Sequence, residues 1–197
     1  TEARQSMFTQ DTTKWLPDTP LWLPAECDVP IRKGSWFWHP DDEDSIRSLD
    51  ELMDIYYRSV GHGTNLLLNV APDDRGLIPE ADRKRVLEFG DEIRRRFSRP
   101  IAKTHGTGDI LELKFPDKTY VDHVILMEDI AHGERIRAYE LAAYIQGKWR
   151  NLVVGSAIGH KKIDSFKKVY TNRLRLTVDN ADDIPLIRSF EAFYVGD

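Results

Sequence analysis

The chain holds a single cysteine, Cys27, among its 197 residues. A lone thiol excludes an internal disulfide framework and a cysteine-based metal site, and nothing around it has the context of a nucleophilic cysteine. It is compatible with either the cytoplasm or a secretory compartment. No apolar run approaches the roughly 20 residues needed to span a membrane, and charged residues make up 31% of the chain. Neither sign of charge dominates: the net is −5 with both signs interspersed, which leaves no electrostatic footprint for nucleic acid. Arg94-Arg95-Arg96 and Lys167-Lys168 read as solvated faces. His105, His123, His132 and His160 are scattered without metal-ligand spacing, so neither a metal nor another cofactor is expected. The chain begins at Thr1 without methionine or a signal-type segment, and so reads as a processed or truncated product. No internal repeat is present.

Two periods divide the rest. The leading half carries helical and buried-strand patterns. Ser48-Leu-Asp-Glu51 has the form of a capping box, followed by a helical stripe of Leu49, Leu52, Met53, Tyr56 and Val60 that Gly61 and Gly63 end. Asn65 to Val70 has the look of a parallel strand buried on both faces. Pro79 opens a second helix with Val86, Leu87, Ile93 and Phe97 as its buried stripe. Helix, buried strand, helix is the order of the last part of a (β/α) barrel, whose loops after the strands carry function, here Asn69 to Arg75. About 97 residues cannot build the eight units of a ~250-residue barrel, so this half is incomplete alone. Ser98-Arg-Pro100 and Thr104 to Gly108 have the breakers of a domain junction. Beyond it, period-two segments at 110–115, 121–127, 136–145, 149–154, 173–178 and 187–195 predict an antiparallel β-sandwich or jelly roll. Gln146-Gly147 and Asp179 to Asp183 supply turns. Arg173, Arg175 and Thr177 are placed toward water, and Leu174, Leu176 and Val178 toward the core. The predicted architecture is therefore α/β plus all-β, with residues 1–100 the end of a barrel and 101–197 the sandwich.

Chemistry-bearing residues concentrate between Trp22 and His39. Glu26, Asp28, Arg32, Trp36, Trp38 and His39 combine charge with indole rings. That mixture suits a sugar, whose C–H face stacks on aromatics while charged groups bond its hydroxyls. The plainer alternative is a loop whose aromatics cover core surface and whose Glu26 pairs with Arg32. Alternation in Trp36-Phe37-Trp38 predicts Trp36 and Trp38 on one side and Phe37 in the core. Trp149 with Tyr144 could offer a glycan platform on the sandwich, or Trp149 could pack on its own sheet.

The ordered segments Pro24-Ala-Glu-Cys-Asp-Val-Pro-Ile-Arg32, Gly34-Ser-Trp-Phe-Trp-His39, Tyr57 with Ser59-Val-Gly61, and Gly63-Thr-Asn-Leu-Leu-Leu-Asn69 with Pro72 and Gly76 resemble the end of the catalytic barrel of α-L-fucosidases, the family 29 glycoside hydrolases. Val121-Asp-His-Val, Met127-Glu-Asp-Ile130, Gly133-Glu-Arg and Ile158-Gly-His-Lys resemble the galactose-binding-like β-sandwich that follows it. The resemblance implies part of a retaining exo-hydrolase that removes terminal α-L-fucose, most similar to the subgroup favouring α-1,3 or α-1,4 linkages. It further implies that the nucleophilic aspartate and the acid/base glutamate lie upstream of anything present here, so that the chain alone is inactive. Glu26 then lines the sugar pocket, with an acid/base role as the sharper alternative, while Asp28 and Arg32 orient the loop. The implied partners are a fucosylated glycan and the remaining barrel segment as a separate chain. A carbohydrate-binding or structural module derived from such an enzyme is the other reading. The family implies an extracellular, periplasmic or lysosomal setting.

Overall fold

A computed structural model gives the fold and describes residues 25–196. Trp22, Leu23 and Pro24 lie outside the described residues.

Strand β1 (Glu26–Pro30) pairs in parallel with β2 (Asn65–Asn69). Parallel neighbours need a crossover, and helix α1 (Leu49–Arg58) provides it. Its start follows from local chemistry. Ser48 Oγ accepts the Glu51 N–H at 3.2 Å, and Glu51 Oε2 accepts the Ser48 N–H at 2.8 Å, closing the capping box. Leu52, Met53 and Tyr56 are buried on one stripe, with Leu49 and Val60 against the same cluster. The helix ends at Arg58 with Ser59 as its C-cap, and the turn beyond it requires glycine at 61, where a Cβ would lie 2.3 Å from the Tyr57 carbonyl oxygen.

Two expectations for this half need correction. β2 is parallel but not buried on both faces: Leu66 and Leu68 pack toward the helices, whereas Leu67 is 45% exposed. Among the described residues, helices cover one face of this two-stranded sheet. In α2 (Glu80–Phe97), Leu87 faces water and Phe89 is buried instead. The covered stripe runs Asp82, Phe89, Ile93, Phe97 with Val86 half-buried, a true 3.6-residue period that Leu87 falls outside.

The second half forms a six-stranded antiparallel sheet in the order β3-β8-β4-β7-β5-β6. Its strands are β3 (Ala102–Thr107), β4 (Ile110–Glu128), β5 (Ile136–Ile145), β6 (Lys148–Gly155), β7 (Lys162–Ala181) and β8 (Leu186–Phe193). Pairing between the long strands β4 and β7 is interrupted between Lys114 and Thr119. Beyond that break, β4 lies between β7 and β8; before it, its partner stretch of β7 lies between β4 and β5. The sheet thereby turns over on itself. Leu113, Leu141, Leu174 and Leu176 from one end meet Val124, Leu126, Phe190 and Ala192 from the other in a single core, which makes the unit a β-sandwich. The alternation expected for 173–178 holds, with the leucines buried and Arg173 and Arg175 on the outer face. The segments at 110–115 and 121–127 are one continuous strand, the strand at 173–178 starts eleven residues earlier at Lys162, and Thr104 to Thr107, read as junction, belongs to edge strand β3.

The opposite face of this sheet seats the helices. Ile125, Ile163 and Phe193 join Leu52, Met53, Tyr56 and Phe89 in a second core, so barrel-like and sandwich parts share buried surface. Polar contacts reinforce the seam: the Ile163 N–H donates to the Gly61 carbonyl at 2.9 Å, and Arg95 Nη1 to that of Val195 at 2.9 Å. Within the sandwich, three separated sequence motifs meet at Glu128. Its carboxylate, 1% exposed, accepts the N–H groups of Arg135 at 2.8 Å, Ile136 at 3.1 Å and Gly159 at 2.7 Å.

Candidate active site

The β1–β2 register sets Cys27 beside Leu66 and Val29 beside Leu68, on the side that helices cover. By alternation Glu26, Asp28, Asn65 and Leu67 project to the other side, which in a closed barrel is the lumen. Glu26 and Asp28 are exposed there. Hydrogen bonding between the two carboxyl groups, then their mutual repulsion, raises the pKa of Glu26 above its ordinary value.

Arg32, just past the end of β1, does not pair with Glu26. It is buried, 4% exposed, and grips Asp82 in the first turn of α2 with Nε at 3.0 Å and Nη2 at 2.6 Å. Asp82 is itself 1% exposed. A two-point fork of this kind is the geometry for which guanidinium is suited. Charge-assisted bonding to Asp82 raises the Arg32 pKa further. Its remaining nitrogen, Nη1, donates to the His39 carbonyl at 3.3 Å, and Asp42 lies 3.9 Å away. Arg32 is therefore a buried anchor of the following loop.

That loop, Gly34 to Pro40, has no strand geometry, and the expected inward turn of Phe37 does not occur. Ser35 Oγ donates to the Phe37 carbonyl at 2.8 Å and accepts its N–H at 3.2 Å, a local turn that defeats period-two alternation. Phe37 is 75% exposed, Trp36 44%, and Trp38 is half-buried with His39 exposed. The loop is held at both ends: Asn69 Nδ2, at the end of β2, donates to the Trp36 carbonyl at 2.8 Å. Just before it, Lys33 bonds Glu51 at 2.8 Å and holds its carboxyl down at about 2. The loop after β2 is similarly tied, with Asp73 accepting the N–H groups of Arg75 at 2.9 Å and Leu77 at 3.1 Å.

The structure thus gathers Trp36, Trp38, His39 and Asn69 at the carboxyl ends of β1 and β2, with Glu26 and Asp28 on the lumen side of β1. Asp82 is the participant that sequence reasoning missed. Its signal was available: a carboxylate on the apolar stripe of a helix needs a buried cation, and Arg32 is the candidate in an otherwise apolar strand end. Between Arg32, Trp36, Phe37, Asn69, Ala71 and Asp82 a cleft of about 10 Å³ opens. That is the room of one water, so a sugar bound here would lie on these groups rather than within them.

Comparison with known proteins bears on the family and the fold. The family described as Alpha-L-fucosidase matches residues 2–95. Alpha-L-fucosidase 1 of Arabidopsis thaliana is 34% identical over 203 residues, covering 84% of this chain and 40% of that protein. A crystal structure of a glycoside hydrolase 29 family member from an unknown rumen bacterium superposes with a TM-score of 0.81 at 33% identity, over 89% of this chain and 34% of the other. A Bacteroides thetaiotaomicron protein assigned to the alpha-L-fucosidases reaches a TM-score of 0.86 at 44% identity, over 89% of this chain and 42% of the other. The chain spans about 40% of the length of the curated relatives it matches. Over that span its sequence, its barrel-like strand pair and its sandwich agree together, and the chain belongs to the α-L-fucosidase family, glycoside hydrolase family 29.

Proposed function

We propose that this chain supplies the closing β/α units and the adjoining sandwich of a retaining exo-α-L-fucosidase acting on terminal fucose, with α-1,3 or α-1,4 linkages as the favoured substrates. The observation that carries the reading is the aromatic Trp36–Trp38 loop anchored at the carboxyl ends of β1 and β2, with Glu26 and Asp28 on the uncovered side of the same strand. In this reading Glu26 and Asp28 bond sugar hydroxyls, Trp36, Trp38 and Phe37 stack on apolar sugar faces, and Arg32 with Asn69 keeps the loop in place.

The Glu26–Asp28 pair does not itself break the bond. Retention needs two carboxyl groups about 5–5.5 Å apart that flank the anomeric carbon. Here both project from one side of one strand and so do not flank the anomeric carbon from opposite faces, which puts the nucleophile and its acid/base partner on barrel strands outside these 197 residues. A fucosylated glycan is the substrate and the remaining barrel the structural partner.

The test is reconstitution. The chain alone should release no 4-nitrophenol from 4-nitrophenyl α-L-fucoside. Mixed with the preceding barrel portion of the Bacteroides thetaiotaomicron relative, it should give turnover with retained configuration, followed by proton NMR. Turnover by the purified chain alone would overturn the placement of the reacting carboxylates. Inverted product would overturn the mechanism.

A further inference from the structure

The exposed aromatic rings of the described residues fall into two places. One is the Trp36–Phe37 loop; the other is a trio on the sandwich, Tyr120, Tyr170 and Tyr194, exposed by 49%, 54% and 45%. Tyr120 on β4 and Tyr170 on β7 are cross-strand partners with ring centroids 5.1 Å apart, and Tyr194, just after β8, sits 5.8 Å from Tyr120. Backbone alternation turns Tyr120 and Tyr170 away from Val121 and Val169, which belong to the sandwich core. The trio therefore continues the sheet face that α1 and α2 cover further along, where Ile125 and Phe193 meet the helices. Tyr194 is held in turn, because Asp122 accepts the N–H groups of Val195 at 2.8 Å and Gly196 at 3.0 Å.

We propose that Tyr120, Tyr170 and Tyr194 form an accessory binding surface for the pyranose rings of an oligosaccharide, distinct from the site on β1. Three arguments support it. Rings locked against one another lose little freedom on binding, which lowers the cost of stacking a ligand. Phenols join an apolar face to a hydroxyl, the combination that a sugar's C–H face and rim require. Their neighbours along the chain, Asp117, Lys118, Thr119 and Lys167, are polar and exposed or half-exposed, a setting unlike the aliphatic centre of a protein interface. Its position keeps it independent of the other site. Asp82 at the start of α2 anchors the Trp36 loop, while Arg95 near its end bonds Val195 beside Tyr194. Thirteen helical residues separate them, on the order of 20 Å.

The experiment uses the 197-residue chain and saturation-transfer NMR with N-acetyllactosamine and 3-fucosyllactose as probes. Both should receive saturation, with tyrosine ring protons as the source. Combined Tyr120→Ala and Tyr170→Ala, and separately Tyr194→Ala, should weaken binding at least about tenfold, while Tyr→Phe at the same positions should change it less than about threefold. Tyr194 lies outside the strands, so its variant reads the site even where the double variant loses the fold. Transfer abolished by Trp36→Ala with Phe37→Ala but untouched by the tyrosine variants would overturn this proposal and leave the β1 site standing. No transfer to either probe would overturn it outright. Concentration-dependent dimerisation abolished by Tyr170→Ala would do so too, by showing the patch to be a protein contact.

Discussion

At the scale of single residues, the decisive fact is how charge is disposed around β1. Arg32 and Asp82 are both removed from water, and each is tolerable only because of the other. Asp82→Ala should therefore cost about 3–5 kcal/mol, the penalty of a stranded buried cation, read from urea unfolding. Replacing both partners with apolar residues of similar volume should cost much less. A loss below about 1 kcal/mol for Asp82→Ala would mean that water reaches Arg32 freely. For Glu26 the relevant quantity is protonation. Asp28→Asn removes the neighbouring negative charge and lets an amide donate to the carboxylate, so the Glu26 titration midpoint should move down toward the ordinary carboxylate range, measured by side-chain carboxyl NMR. An unchanged midpoint would show that Asp28 is not what raises it.

Elements differ in how openly their causes are written in the chain. The α1 start was legible because a capping box is a local device: Ser48 and Glu51 need only each other. Ser48→Ala should lower stability by about 1 kcal/mol, by thermal unfolding. Strand β5 was equally plain, since regular alternation bounded by Gln146-Gly147 leaves few alternatives. The misread elements depend on distant partners. β3, with His105 and Gly106, has little strand propensity and forms because β8 offers Phe190 and Ala192 as neighbours. The first half of β7 hides behind Lys167 and Lys168, which lie at an irregularity where pairing with β4 jumps from Val169 to Ser165. Phe37 defeated alternation because a serine side chain built a turn where a strand was assumed. Glu128 is a further case, with three motifs scattered in sequence converging on one carboxylate that no local pattern could reveal. Glycine at 155 is similarly non-local: a Cβ there would lie 2.2 Å from the Tyr139 ring, whose hydroxyl donates to Asp164 at 2.6 Å. Gly155→Ala should cost about 1–3 kcal/mol through overpacking, measured by chemical denaturation, and a neutral outcome would show that Tyr139 can yield.

On the scale of the whole molecule, the seam between helices and sandwich carries a polar relay inside an aromatic cluster. Arg96 Nη1 donates to the Tyr57 hydroxyl at 3.1 Å, that hydroxyl meets His123 Nε2 at 2.9 Å, and His123 Nδ1 lies 2.7 Å from Asp122. The consistent proton arrangement has Tyr57 donating to Nε2 and neutral His123 donating to Asp122. Burial lowers the His123 pKa, outweighing the upward pull of Asp122, and Arg96 adds to the lowering. The sign of the linkage follows. The unfolded chain takes up a proton near the ordinary histidine value while the folded chain resists it, so this contribution to stability is present at neutral pH and is lost as pH falls below about 6.5. Denaturation midpoints at pH 7.5 and 5.5 should differ, and His123→Gln should reduce the difference. An unaltered difference would show that His123 does not carry the pH response. Because helices and sandwich share this core, the described residues should unfold as one cooperative unit, with far- and near-ultraviolet circular dichroism superimposing.

The strand pair β1–β2 has a practical corollary. Among the described residues each of these strands pairs only with the other, which leaves their outer borders without a strand partner there, and Leu67 lies exposed between them. Such borders recruit any extended peptide within reach. Purified alone, this polypeptide should stick to itself at rising concentration, and a matching barrel portion should act as its chaperone, making light scattering a simple gauge of whether the ring has been closed.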